Sequence, residues 1–446
     1  MNVFPSTTFR FVHQATAFLV LAGLISLSGC GRESSQTITM EPLATAPSAP
    51  PANDSEAVAA LESAGFTLTK DDSGNVIKLS VVTDEPLADG LLENLAKITT
   101  IQEALFSGPG LTDKGMDAVS SLSNLKRIDL SNSAIGDGTL KALGSLPNLE
   151  VLFLRRTAVT DQGLAAITNL KKLRAIDLRN TNIGDPGMEY LAQLPKLADI
   201  QLEKAKVNDA GVAMIASLPL KSLNVNYCTA ISDDAMMSLA KTTTLESIQM
   251  DYSKLSDEGM SVVANFPKMK RLRIRGTDVT GEGLKNIQSL KNMERMELRD
   301  SSLDDDGMAI IATLTKMTFL DLAECRLVSS DGMKQIGKLK NLQTLSLWET
   351  KLDDAAVNEF GDLTKLRELN LKATAITDEC IETLSKFKEL EKINVAGTQL
   401  SDDSFRALGK LPKLKYLNVA NTSIGFDVID ELAESREDLE VVEFEN

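Results

Sequence analysis

The side chains able to do chemistry in this chain are few in kind, and their placement limits what they can do. His13 is the only histidine among 446 residues. It lies in a stretch that reads as a removable export signal, so the mature chain is expected to hold no histidine. Ser-His-Asp triads, Cys-His nucleophiles and His-ligated metals are then excluded. Four cysteines occur, Cys30, Cys228, Cys325 and Cys380. No two make a CxxC pair, so no zinc site is expected. Neither a GxSxG elbow nor a phosphate-cradling glycine loop is present. With 63 Asp+Glu against 47 Lys+Arg, carboxylate pairs are everywhere and single out nothing. The expectation is a non-enzyme with no cofactor. The net charge of -16 also argues against nucleic acid, which needs a basic footprint.

What stands out against this acidity is a run of arginines. Arg271, Arg273 and Arg275 alternate with apolar residues, and Arg295 and Arg299 follow about 24 positions later. Phe319 and the only tryptophan, Trp348, come next. Arginine suits bidentate contact with carboxylate or phosphate, and Arg, Trp and Tyr anchor many interfaces. Two readings stay open. The group is either a patch for an acidic protein partner or a set of cross-strand ion pairs with Glu297, Asp300, Asp321 and Glu324 nearby.

The N-terminus carries Arg10 and then an apolar run from Ala15 to Leu27. It is too short to span a bilayer, which takes about 20 residues, and fits the core of a secretory signal. The run ends Leu27-Ser28-Gly29-Cys30, and here the chain resembles bacterial lipoproteins. The resemblance implies cleavage after residue 29, diacylation of the Cys30 sulfur and a membrane anchor. Gly31, in place of Asp, implies the outer rather than the inner membrane of a bacterial envelope. Residues 30–54, rich in Pro, Ala, Ser and Thr, cannot form a core and read as a flexible tether.

The remainder is one pattern repeated. The first aliphatic position of LxxLxLxxTxVxDxGLxxLxxL recurs from Ile101 through Leu125, Leu149 and Leu173 to Leu439, at a step of about 24 residues. Within a unit, Leu152 and Leu154 alternate with polar neighbours, which predicts a strand. Leu164, Ile167 and Leu170 recur at helical spacing, which predicts a short helix. No unit can bury its apolar face alone, so the units must stack. Over nearly the whole chain after the tether the pattern resembles the leucine-rich repeat family, and the Asp-x-Gly-Leu helix start its cysteine-containing branch. The resemblance implies an α/β solenoid, a horseshoe with a parallel sheet on the concave face and short helices on the convex face. Residues 55–100 read as an N-terminal cap with a first divergent repeat, its strands flanking Asp72-Ser73-Gly74. Residues 101–446 read as about 15 repeats with a C-terminal cap.

Two further columns follow from the register. Aspartate recurs at Asp113, Asp137, Asp161, Asp185 and onward to Asp402, at each helix start, where a carboxylate caps free N–H groups. Position nine is mostly Ser or Thr, with Cys228 and Cys325 in the same slot, and is expected to satisfy backbone groups in a turn. The cysteines are expected to be free and buried.

The concave face of such proteins is the usual binding surface, read here from positions three, five and seven. Besides the arginine group it presents Phe153, Arg155 and Arg179 near one end. Tyr227 and Tyr252 lie at the centre, and Tyr416 beside Asn370, Asn394 and Asn418 towards the other end. The functional expectation is a monomeric, lipid-anchored protein that binds another protein. An envelope scaffold and a glycan- or peptidoglycan-binding lipoprotein are the alternatives.

Overall fold

The computed structural model describes residues 53–444. The signal, Cys30 and most of the tether lie outside the described residues. Between Asn53 and Phe444 the chain forms a single compact unit. It is built on one sheet of 17 strands. Each strand from Val76–Val82 onward pairs in parallel with the strand of the next repeat, in sequence order, to Glu440–Val442. The one antiparallel pair is the hairpin of Thr67–Lys70 with Val76–Val82.

Most strands are three residues long, such as Val151–Phe153 and Arg271–Arg273. This follows from the pattern: L-x-L points two leucines into the core and one residue out. Register is held residue for residue, so Leu272 faces Met296 and Arg273 faces Glu297. The core is a continuous aliphatic stack, with Leu152, Leu154, Leu164, Ile167 and Leu173 all fully buried.

Each strand leaves through the expected turn, whose left-handed conformation the sequence did not announce. The eighth residue of the repeat is left-handed in repeat after repeat. Eleven non-glycine residues, Asn132, Arg156, Tyr227, Tyr252 and Asp300 among them, hold φ between 51° and 61°. Such a conformation costs a side-chain-bearing residue about 1–2 kcal/mol. It is held by the ladder: the Tyr252 N–H donates to the Arg275 carbonyl at 2.7 Å, and Asn132 to Arg155 at 2.8 Å. The hydroxyl at position nine then donates to the carbonyl three residues back, as Thr157 does to Leu154 at 2.6 Å and Thr277 to Ile274 at 2.8 Å.

Cys228 and Cys325 occupy that slot with a different bond. Each thiol faces the preceding repeat, donating to Leu202 O and Leu298 O at 3.2 Å. All three described cysteines are free and buried. Burial pushes the Cys228 and Cys325 thiols up to about 11, so neither is a nucleophile at neutral pH.

The aspartate column differs from the expectation in an instructive way. Most of these Asp residues open their own helix, as at Asp161–Leu164 and Asp185–Leu191, but the carboxylates bond forward to the next repeat. Asp137 accepts from the Thr160 N–H at 2.8 Å and its hydroxyl at 2.7 Å; Asp233 does the same with Ser256, and Asp354 with Thr377. The column is a staple between units. Where the next repeat has a glycine two residues after its own Asp, that glycine makes room for the carboxylate: a Cβ on Gly187 would come within 2.6 Å of Asp161 Oδ1.

At the N-terminus the helix Ser55–Ser63 is capped by Asp54, which accepts from the Glu56 and Ala57 N–H groups. Its buried face, Ala57, Val58 and Leu61, covers the first units, where Phe66 meets Phe106 edge-on at 6.2 Å.

Candidate binding surface

Positions three, five and seven line up across adjacent strands about 4.8 Å apart, so like-charged columns must be neutralised or splayed. The arginine group is held by ion pairs. Asp251, fully buried and at position seven of the repeat before, accepts from Arg273 Nε at 2.6 Å and pairs with Arg275 Nη2 at 2.7 Å. Its backbone N–H is held by the Asn226 side-chain oxygen at 2.8 Å. Glu297 serves Arg271 at 2.9 Å, Arg295 at 2.7 Å and Arg273 at 3.4 Å. Arg299 reaches Glu324 at 2.6 Å. Five guanidinium groups thus share three carboxylates.

The balance of burial and charge is visible in the titrating groups. Burial alone would raise the Glu297 carboxyl, but Arg273, Arg295 and Arg271 outweigh it and hold it below the usual range. Burial lowers the Arg271 guanidinium despite Glu297, with Arg295 and Arg273 repelling it. Its Nε is buried without a hydrogen-bond partner among the described residues. Asp321, by contrast, is pushed up by burial first, with Glu297 adding to it.

The aromatic residues are stacked under the cations. The Arg295 guanidinium lies 3.4 Å from the centroid of Phe319, and that of Arg299 4.5 Å from Trp348. Such contacts contribute about 0.5–2 kcal/mol each and fix ring orientation. The residues from Arg271 to Trp348, expected to be neighbours, do lie on adjacent repeats. Of the four acids expected as partners, Glu297 and Glu324 serve; Asp300 and Asp321 form no ion pair among the described residues. The principal partner, Asp251, was missed. Its signal was its column, since position seven of one repeat abuts position seven of the next.

The other candidates are distributed along the sheet. Phe153 lies under Arg127, 4.3 Å from its centroid. Arg179 grips the buried Asp177 in bidentate fashion, Nε to Oδ1 at 2.9 Å and Nη2 to Oδ2 at 2.6 Å. Arg155 and Tyr416 are half-buried. Tyr227 and Tyr252, both at the left-handed rim position, stack at 4.9 Å and 20°, with Lys204 5.2 Å over Tyr227.

A single parallel sheet, one short strand per unit, backed by one short helix per unit and stapled in register, defines a solenoid of leucine-rich repeats. Family profiles agree: one described as a leucine-rich repeat region matches residues 220–424, and a leucine-rich repeat profile matches residues 169–192. The chain belongs to the leucine-rich repeat family. Among solved structures it is similar to a leucine-rich repeat protein of Leptospira interrogans, at 18% identity over 80% of this chain and 92% of that one, with a TM-score of 0.50. An internalin from Listeria monocytogenes matches at 19% identity over 88% of this chain and 96% of its own, TM-score 0.47. The ectodomain of a membrane receptor kinase from Arabidopsis thaliana, solved in complex with Casparian strip integrity factor 2, matches at 16% identity over 80% of this chain and 45% of its own, TM-score 0.49. No curated protein sequence matches the chain. At these identities the likeness is one of fold.

Proposed function

We propose that the chain is a non-enzymatic binding protein, anchored through a lipidated Cys30 to a bacterial cell envelope, outer membrane in preference to inner. It recognises a protein partner with the sheet face around Arg295, Arg299, Phe319 and Trp348. The observation that carries this reading is the preorganised face itself. Arginines and rings are locked against one another by ion pairs and stacking, so little side-chain entropy is lost when a partner docks. Leucine-rich repeat folds serve chiefly as interaction surfaces, and the geometry here spends its polar groups on holding the face rather than on a reaction centre. Because Arg271, Arg273 and Arg275 neutralise buried acids, the outward contacts fall to the more exposed Arg295 and Arg299 and the rings beneath them.

The test has two arms. Cells expressing the chain are labelled with tritiated palmitate; label should enter the wild type and be absent from Cys30→Ser. The purified chain is then used to capture partners from envelope extract beside Arg299→Ala with Trp348→Ala. A partner retained by the wild type and lost on the variant supports the reading. Retention that survives protease treatment of the extract would replace it with the glycan alternative.

A further inference from the structure

The sheet has two long borders, and the sequence charges them differently. The border where strands end and helices begin carries the staple aspartates together with Asp278, Asp300 and Glu324. The border where helices end and strands begin carries lysine. We propose that this second border rests on the phosphate headgroups of the membrane that holds Cys30. The proposal rests on the reading of the chain as lipid-anchored and gives the anchored domain an orientation.

The residue just before the first aliphatic position of a repeat is lysine at Lys172, Lys196, Lys268, Lys316 and Lys365. All five are exposed and form no ion pair among the described residues. Three are steadied by a neutral amide of the repeat before. Lys172 donates to Asn148 Oδ1 at 2.6 Å, Lys316 to Asn292 Oδ1 at 2.8 Å and Lys365 to Asn341 Oδ1 at 2.6 Å. An amide oxygen positions an ammonium group without cancelling its charge. Several carboxylates on the same border are already spent, Glu150 on Arg174, Glu246 on Lys270 and Glu391 on Arg367. Stacking in register then lays the uncompensated lysines in one row, at multiples of about 4.8 Å.

What faces the row follows from where the chain enters the fold. The Asn53 side-chain oxygen accepts from the Thr100 hydroxyl at 2.7 Å, and the Asp54 N–H donates to the Lys97 carbonyl at 3.5 Å. Lys97 and Thr100 belong to the loop that leads into the repeat starting at Ile101. The chain that runs back to Cys30 therefore joins the fold on the lysine border. A coil of the 22 residues from Gly31 to Ala52 would span about 25 Å, which keeps that border close to the bilayer. A chain of net charge -16 with its charge spread evenly would be repelled by an anionic surface. Segregation lets one border approach while the aspartates face away. Each lysine near such a surface strengthens binding about fivefold, and the attraction acts within about 8 Å at physiological salt. A free polyanion would match the row as well, but nothing brings it there, whereas the anchor brings the membrane. With the lysine border down, the sheet face around Trp348 stays open to a partner beside the membrane.

The test is vesicle flotation of the full chain carrying Cys30→Ser, which removes the acylated sulfur. Vesicles are phosphatidylglycerol mixed with phosphatidylcholine, or phosphatidylcholine alone. Partition coefficients at limiting lipid are read as a ratio, anionic over neutral, so that any contribution of the apolar run from Ala15 to Leu27 cancels. The ratio should be well above one and fall as salt rises. Lys172→Gln with Lys196→Gln and Lys268→Gln should lower it about tenfold or more. Lys206→Gln with Lys254→Gln and Lys351→Gln changes net charge equally at exposed positions on the opposite border and should lower it less than about twofold. Thermal melts of both triples should match the parent within a few degrees. Equal loss on the two triples would mean general charge attraction and overturn the proposal. So would a ratio near one, or binding of single-stranded DNA at physiological salt with no preference for anionic vesicles. Palmitate label on the wild type beside any of these results leaves the anchor standing and removes the orientation. Vesicle binding that depends on the lysine row, in a chain that takes up no palmitate, keeps the docking surface and counts against the anchor alone.

Discussion

At the residue scale the sheet face is a problem in burying charge. A carboxylate taken out of water is costly unless paired and hydrogen-bonded. Glu297 meets both conditions; Asp321 meets only one, accepting from the Ala323 N–H at 3.1 Å with no cation of its own. Their titrations therefore pull stability in opposite directions. The depressed Glu297 contributes stability that is present above its unfolded value near 4.5 and lost as pH falls through its folded value. The raised Asp321 does the reverse: its contribution is full below the unfolded value of 3.8 and lost as pH rises through its folded value. Asp321→Asn keeps the backbone acceptor and removes the half-buried charge. It should raise stability at pH 7 by about 1 kcal/mol and flatten the rise in stability as pH drops from neutrality towards 4. Urea midpoints at pH 7 and pH 4.5 check this; an unchanged difference between the two would show that Asp321 is solvated in practice.

The element scale belongs to the aspartate staple. An Asp at one helix start, a Ser, Thr or Gly N-cap in the next repeat and a glycine just beyond form one inter-repeat unit. At two of the positions where glycine is replaced, a hydroxyl takes its place on the carboxylate: the Thr139 hydroxyl donates to Asp113 at 2.6 Å, and Ser404 likewise bonds Asp378. Where the Asp is replaced, by Gly281 and Ser330, the following N-cap is itself an aspartate. Asp304 caps the Gly307 N–H at 3.0 Å, and Asp353 accepts from the Ser330 hydroxyl at 2.6 Å and the Ala356 N–H at 3.0 Å. Two repairs of the same kind indicate that one carboxylate per junction is what the stack requires. Gly187→Ala should thus cost about 1–3 kcal/mol through overpacking against Asp161. Gly281→Asp, although it restores the column, should also destabilise, because Asp304 already fills that space. Chemical denaturation of both checks this, and a stabilised Gly281→Asp would refute the account.

On the scale of the whole molecule, stability is a sum over neighbouring units. The units are not equal. The stretch from Asn226 to Trp348 adds buried ion pairs and stacked rings to the common staple, whereas the last strand, Glu440–Val442, pairs on one side alone among the described residues. Hydrogen exchange should show strand amides of the Ser247–Gln249 to Phe319–Asp321 stretch exchanging last, and those beyond Tyr416 exchanging orders of magnitude faster. Uniform protection from end to end would mean the array opens as a single cooperative block. Central rigidity also bears on function, since the proposed binding face lies in the stretch expected to move least.

Much of this was legible from the residues alone, and the reason is periodicity. A step of about 24, with period-two and helical spacings inside it, leaves one way to bury the leucines, so strands, helices and parallel order followed from counting. Columns were legible too: once register was known, Arg271, Arg295 and Phe319 had to be neighbours. What counting could not supply was which atoms meet. Whether an arginine points at a partner, at solvent or at a buried acid depends on side-chain reach across strands, and Asp251 took two arginines that the sequence left unassigned. The forward bond of each staple aspartate, the left-handed rim and the packing of the Tyr252 ring on Gly276 likewise arise only when units are stacked. Repetition dictates the backbone because burial is a sum over many equivalent positions. The site is decided by the few positions that are not equivalent, and their contacts exist only in three dimensions.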